Sequence, residues 1–312
     1  MANHDPRNKD VLYYIDGRFV HQYEPAISLF DAGFLHGKQV WSSPRLINGR
    51  IFRLQDHLEK ITHSAELNFF PVVPTAAELT DAIRLALLKN HMTDGVHIRI
   101  VLTAGNQITA SMDLAAIIDW DGQTSAPRII VMPEYRGNVY DADNGIRLMT
   151  SSFKRPGPDM VDQASHDNNQ NASSRALAEA KRAGMTSSLM YDAEGFLAEA
   201  PASHAAIVKD GCLRTPWVRC SPPGVTRKVI LELCKTHNIP AEEADITADE
   251  VRNADELFLM GTMSGPVGAV ELDGQPVGNG HIGPVTRRLS ELYQQALIDP
   301  AQGYDMALKP TG

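Results

Sequence analysis

With 312 residues, 43% of them hydrophobic and 21% charged, the chain has the make-up of an ordinary globular protein and is too long for one compact core, so two domains are expected. Its net charge of -9 argues against nucleic acid as a partner, because phosphate binding needs a basic face. No apolar run reaches the roughly 20 residues that span a bilayer, and the polar start MANHDPRNKD lacks a leader's apolar stretch, so a cytoplasmic protein without a membrane partner is expected.

In chain order, VLYYIDGRFV reads as a hairpin turning at Asp16-Gly17, and VWSSPRLINGRIFRL repeats the idea at Asn48-Gly49. Leu54, Leu58, Ile61 and Leu67 recur at helical spacing, and TAAELTDAIRLALLKN is a second helix. VHIRIVLTAG, LAAIIDW and RIIVM read as strands. Residues 1–134 are therefore expected to form a smaller α+β domain with a mostly antiparallel sheet. Residues 135–145 are rich in Gly, Asn and Asp and without period, which marks a linker. Residues 146–312 form the expected larger α/β domain. Its strands are IRLMTSS, SSLMYD, FLAEA, AAIVKD and ELFLMG, and its helices are Ala172–Ala183, Arg227–His237 and Val285–Leu297. The cleft between two such halves is the default ligand site. Cys212, Cys220 and Cys234 have neither a CxxC nor a paired histidine spacing, so no disulfide framework and no metal site are expected.

Four features carry chemistry, each with a plainer alternative. Gly224-Val225-Thr226 opens a helix, where exposed N–H groups and the dipole suit a phosphate or merely cap the helix. Gly261-Thr262-Met263-Ser264 follows an apolar strand and is either a second anion cradle or an ordinary turn. Glu199 ends a strand of small and apolar residues, where a carboxylate needs a partner unless it lies at the surface. Arg53 stands where a strand feeds a helix; a guanidinium suits phosphate, or is a solvated charge.

Together these features resemble the fold-type-IV pyridoxal-phosphate enzymes, the class IV aminotransferases that include branched-chain and D-amino-acid aminotransferases. The resemblance covers nearly the whole chain. AISLFDAGFLHGKQVWSSPRLINGRIFRLQDHLEKI looks like the first-domain signature, closest to the R-selective amine transaminase branch. AEAKRAGMTSSLMYDAEGFLAEA, IVKDGCLRTPW, GVTRKVILELCKTHNIP, ADELFLMGT and GQPVGNGHIGPVTRRL follow in the family's order. The resemblance implies a two-domain architecture with an interdomain cofactor pocket, usually in a homodimer. It makes Arg53 the phosphate-binding arginine, Val225 and Thr226 the phosphate-holding helix start, and Thr262, with Met263 beside it, a second phosphate contact. Glu199 becomes the carboxylate on the pyridine nitrogen.

The resemblance also singles out the polar loop between Ser165 and Ser173, where members of the family carry a Schiff-base lysine. Counting back from Gly184 places that position at Ser165, and no lysine occurs from Ala164 to Arg175. The family's Asn-Tyr falls on Asn169-Gln170, and a position that often offers Leu is Pro222. A hydroxyl forms no stable imine and is a poor base at neutral pH. Four readings stay open. The cofactor, as pyridoxal or pyridoxamine phosphate, binds noncovalently and His166 carries the proton; the pocket works without cofactor, with Ser165 as nucleophile and His166 as base; the protein is a silent binding module; or a lysine has been changed to serine. Lys38 could reach the cofactor or be solvated, and His36, Trp41 and Gln170 are candidates for the substrate pocket. Arg99 could bind a substrate carboxylate or face solvent. The expected partners are a small amino or keto substrate and a second copy of the chain.

Overall fold

A computed structural model describes residues 5–24 and 27–308; residues 1–4, on which part of the leader reading falls, lie outside it. The strands in chain order are β1 (Leu12–Ile15), β2 (Arg18–His21), β3 (Gln39–Ser42), β4 (Arg45–Ile47), β5 (Arg50–Phe52), β6 (Val96–Thr103), β7 (Arg128–Tyr135), β8 (Ile146–Thr150) and β9 (Ser187–Tyr191). They continue as β10 (Leu197–Glu199), β11 (His204–Lys209), β12 (Cys212–Pro216), β13 (Ala241–Ala244), β14 (Glu256–Gly261), β15 (Gly265–Leu272), β16 (Gln275–Pro276) and β17 (Gly303–Asp305). The α-helices are α1 (Ala32–His36), α2 (Leu54–Leu67), α3 (Ala76–Lys89), α4 (Asn171–Arg182), α5 (Val225–Thr236), α6 (Ala248–Arg252) and α7 (Pro284–Ile298). This mixed α/β content and its two sheets are those of the expected fold class.

The chain divides into two compact units. The first holds residues 1–137, 165–169 and 298–312, and the second holds 138–164 and 170–297. This differs from a single cut near residue 140. The short stretch 165–169 is hydrogen-bonded along β3, and the chain end returns to pair β17 with β5.

The first unit is built on a sheet ordered β17-β5-β4-β6-β7-β1-β2, with β3 also on β6, and every pairing is antiparallel. β6 is buried on both faces apart from Arg99. Ile98, Ile100 and Leu102 of β6 are fully buried, whereas Arg99 between them is half-buried. Leu54, Leu58, Ile61 and Ala65 form the buried stripe of α2, the 3.6-residue period read from the sequence. Thr75 and Glu78 close a reciprocal capping box at the start of α3. Leu79, Ile83 and Leu87 are buried along the same helix. LAAIIDW is not a strand. The Asp113 carboxylate accepts from the Ala115 N–H and turns Leu114–Ala116 into a short 3-10 helix. Ile118 keeps only an isolated bridge to Thr124.

In the second unit the sheet order is β10-β9-β8-β15-β14-β11-β12-β13, with β16 on β15. β14 lies inside this sheet, so Leu257, Phe258, Leu259 and Met260 are all buried and the run reads apolar without alternation. α5 buries Val225, Val229, Ile230 and Cys234. Residues 136–145 carry no strand or helix; Asp141 accepts from the N–H groups of Asp143 and Asn144 and shapes the turn before β8.

Candidate functional site

The second unit supplies a helix start left open. Gly224 is the N-cap of α5 in an extended conformation, and no side chain caps the helix. The first-turn N–H groups, from Val225 and Thr226 onward, have no acceptor within the helix and lie at the positive end of its dipole. Thr226 is buried, at 4% exposure. Gly261, Thr262, Met263 and Ser264 run from β14 into β15, and the Ser264 hydroxyl is buried without a hydrogen-bond partner. An uncapped helix start and an unsatisfied buried hydroxyl fit the oxygens of a phosphate, because buried polar groups otherwise find partners.

Glu199 sits beside a register shift of β10, and its need for a partner is met by a residue the sequence did not single out. Arg155 Nε lies 3.1 Å from Glu199 Oε1 and donates to the Cys220 carbonyl at 2.9 Å. Its other nitrogens donate to Ser173 Oγ at 3.0 Å and Gln163 Oε1 at 2.5 Å. One buried guanidinium thus ties four segments together and gives Glu199 its counter-charge. Gln170, which also falls in this unit, is the N-cap of α4 and accepts from the Ser174 N–H through its carbonyl.

The first unit holds the other candidates. Ser165 is buried, and its Oγ accepts from Asn68 Nδ2 at 2.5 Å. Asn68 also donates to the Ser64 carbonyl, and the Ser64 hydroxyl accepts from the His166 N–H. His166 Nδ1 lies 2.6 Å from the Trp41 carbonyl. A carbonyl only accepts, so Nδ1 carries the proton and Nε2 is the basic nitrogen of the neutral ring. Trp41 answers by donating from its backbone N–H to the His166 carbonyl and from Nε1 to the Asp167 carbonyl. Their ring centroids are 4.0 Å apart, and the Arg99 guanidinium stands 4.2 Å over the indole. Arg99 therefore stacks rather than facing solvent alone. These hydrogen bonds do not build Ser165 and His166 into a nucleophile–base pair: the serine is partnered by Asn68 and the imidazole Nδ1 by Trp41.

His36 ends α1, and its Nε2 is buried without a partner. The following Gly37 is left-handed (φ 68°), and a Cβ there would come within 2.5 Å of Asn169 Oδ1. Lys38, half-buried, enters β3 with its backbone bonded to Ala32 and Ala104. Arg53 is the N-cap of α2 in the left-handed region (φ 50°), an uncommon conformation for a residue with a Cβ. Its side chain donates to Gln302 Oε1 at 3.1 Å and to Asp56 at 3.4 Å. The structure thus brings His36, Lys38, Trp41, Arg53, Ser165 and His166 into one unit, and Gln170, Glu199, Val225, Thr226, Thr262 and Met263 into the other. Among the described residues no group of His, Cys, Asp and Glu is placed to hold a metal, and no helix is long and apolar enough to cross a membrane.

A helix start without a side-chain cap, a buried carboxylate and this two-sheet fold are those of the class of fold-type-IV aminotransferase-like proteins. Comparison with known proteins makes the family explicit, since residues 43–272 match the amino-transferase class IV model. The chain belongs to that family. It is 34% identical over 290 residues to branched-chain-amino-acid aminotransferase-like protein 2 of Arabidopsis thaliana, covering 93% of this chain and 51% of that protein. The chain thus spans about half the length of the two plant relatives it matches. The putative branched-chain-amino-acid aminotransferase of Methanocaldococcus jannaschii is 31% identical over 283 residues, with 90% of this chain and 94% of that protein covered. A branched-chain aminotransferase from Thermoproteus uzoniensis, solved with norvaline, superposes with a TM-score of 0.86 at 25% identity, covering 95% of this chain and 99% of that one.

Proposed function

We propose that the protein binds pyridoxal or pyridoxamine phosphate noncovalently and acts on amino-acid- or amine-like substrates without a lysine. The observation that carries this reading is Ser165, which stands where the resemblance places the Schiff-base lysine and is buried against Asn68. In the second unit Val225, Thr226 and Thr262, with Met263 beside them, would hold the phosphate, and Glu199, backed by Arg155, would hold the ring nitrogen; Arg53 is the first unit's candidate for the phosphate. When bound, the cofactor supplies an electron sink for a substrate carbon. His166 moves the proton at Nε2, its tautomer fixed by the Trp41 carbonyl. Arg99, stacked on Trp41, favours a substrate with a carboxylate over a plain amine. His36 and Lys38 in the first unit and Gln170 in the second are the candidates for substrate contacts.

Asn68, a donor fitted to the serine, speaks against a simple lysine-to-serine variant. A catalytically silent homologue is the second reading, favoured by the same buried contact, which turns Ser165 into the protein rather than towards a ligand. Absorbance separates the two. Protein loaded with pyridoxal phosphate should show a cofactor band that changes when amino acids are added. A band indifferent to every amine supports the silent homologue, and a protein that takes up no cofactor contradicts the binding reading.

The proposal includes a cytoplasmic homodimer. The dimer is supported by the large apolar side chains exposed in the first unit, Tyr23, Leu29, Phe30, Phe34, Met112 and Trp120. Phe30 and Gln107 join the two segments through a backbone hydrogen bond. A monomeric mass at micromolar concentration, with cofactor binding intact, contradicts this part.

A further inference from the structure

We propose that His204 is a third arm of the phosphate grip, joining the α5 start to the Thr262–Met263 turn. The inference rests on the cofactor reading above. His204 opens β11 and is paired with Met260 of β14, so its backbone is fixed by the sheet. Its ring lies against Gly224. A Cβ on that glycine would stand 2.2 Å from His204 Nε2 and 2.4 Å from Cδ2. Gly224 has φ -100°, which any residue adopts, so the backbone does not require glycine there. The space for the imidazole does. The ring therefore stands at the mouth of a twelve-residue helix that no side chain caps.

The neighbouring Ser203 extends the same line. Its Oγ is 3.1 Å from where a Cβ of Gly261 would be, at the turn that carries Thr262, Met263 and the unsatisfied Ser264 hydroxyl. The strand start thus runs between the two places where phosphate oxygens are expected. A ring N–H there adds a nitrogen donor to the backbone amides and hydroxyls that the second unit offers. Such a donor recognises a phosphoryl group and ignores the pyridine ring.

Calorimetric titration with pyridoxal phosphate, unphosphorylated pyridoxal and inorganic phosphate tests the idea. His204→Ala should weaken pyridoxal phosphate and inorganic phosphate about tenfold, equal to about 1.4 kcal/mol, and leave pyridoxal unchanged. His204→Gln, which keeps a donor, should recover part of the loss. Gly224→Ala should displace the ring and cost as much as His204→Ala, and should cost nothing further in the His204→Ala background. Losses that simply add, or a preference for the phosphorylated ligand that survives in both His204→Ala and Gly224→Ala, overturn the assignment. A native protein that binds pyridoxal as well as pyridoxal phosphate overturns instead the phosphate grip beneath it.

Discussion

The start of α5 and the stretch 165–169 are both polar segments in which the sequence suggests chemistry, yet they are finished differently. At Gly224 the helix begins without a side-chain cap, and its first donors point outward with no acceptor in the helix. Around Ser165 the protein supplies its own partners: Asn68 for the hydroxyl, Ser64 for the His166 N–H, and Gln39 and Trp41 along β3. A helix start without a side-chain cap keeps its first N–H groups able to donate, whereas a hydroxyl already hydrogen-bonded within the protein is part of the architecture. The start of α5 thus keeps its first backbone donors uncapped, while Ser165 is hydrogen-bonded into the first unit.

The largest way to break this comparison is through Arg155. Arg155→Leu removes the counter-charge of buried Glu199 and the donors to Cys220, Ser173 and Gln163, and should destabilise the protein by about 3–5 kcal/mol in urea unfolding. A loss below about 1 kcal/mol would show that Glu199 does not depend on it.

Acid tests the first unit. Burial, above all, holds His57 and His97 down to about 3; neighbouring Lys60 and His97 add to this for His57, and Arg136, Arg99 and Arg45 for His97. The unfolded rings bind protons below their ordinary 6.5, while the folded ones stay neutral to about 3. Stability is therefore full above pH 6.5 and falls as pH drops towards 3, by about 2 kcal/mol for each ring at pH 5. The stability difference between pH 8 and pH 5 should shrink by about 2 kcal/mol in His97→Gln. An unchanged difference contradicts the burial argument.

A sharper, smaller effect concerns affinity. Arg53→Ala should weaken pyridoxal phosphate binding more than tenfold, since a charged hydrogen bond contributes about 1.5–3 kcal/mol; equal affinity in equilibrium dialysis would mean that the grip has been reassigned. The smallest effect is expected at Asn68. Asn68→Ala strips one donor from Ser165 and should cost about 1 kcal/mol of stability. Cofactor affinity should not change, because the contact is architectural. A large loss of affinity would place Ser165 on the ligand side.

Local signals were legible in the sequence. Asp16-Gly17 and Asn48-Gly49 turn their hairpins as glycine-containing pairs do, and the apolar period of α2 and the Gly224-Val225-Thr226 helix start stand where the pattern put them. The demand of Glu199 for a partner could be read as well. The partner could not, because nothing local ties Arg155 to a carboxylate 44 residues on. Asn68 and Ser165 are 97 residues apart, and the return of 165–169 to β3 depends on pairings with no local signature. Residues 114–120 misled for the opposite reason: the apolar run through Ile117 and Ile118 reads as a strand, but Asp113 caps a 3-10 turn of helix-favouring residues, Leu114–Ala116.

The central claim is that the cofactor is held without a covalent bond. Its most direct test is mass spectrometry of the native protein, saturated with pyridoxal phosphate, reduced with borohydride and digested. The account predicts stoichiometric cofactor by dialysis before reduction and no lysine carrying it afterwards. A reduced adduct on Lys38, or on any other lysine in stoichiometric yield, would contradict it.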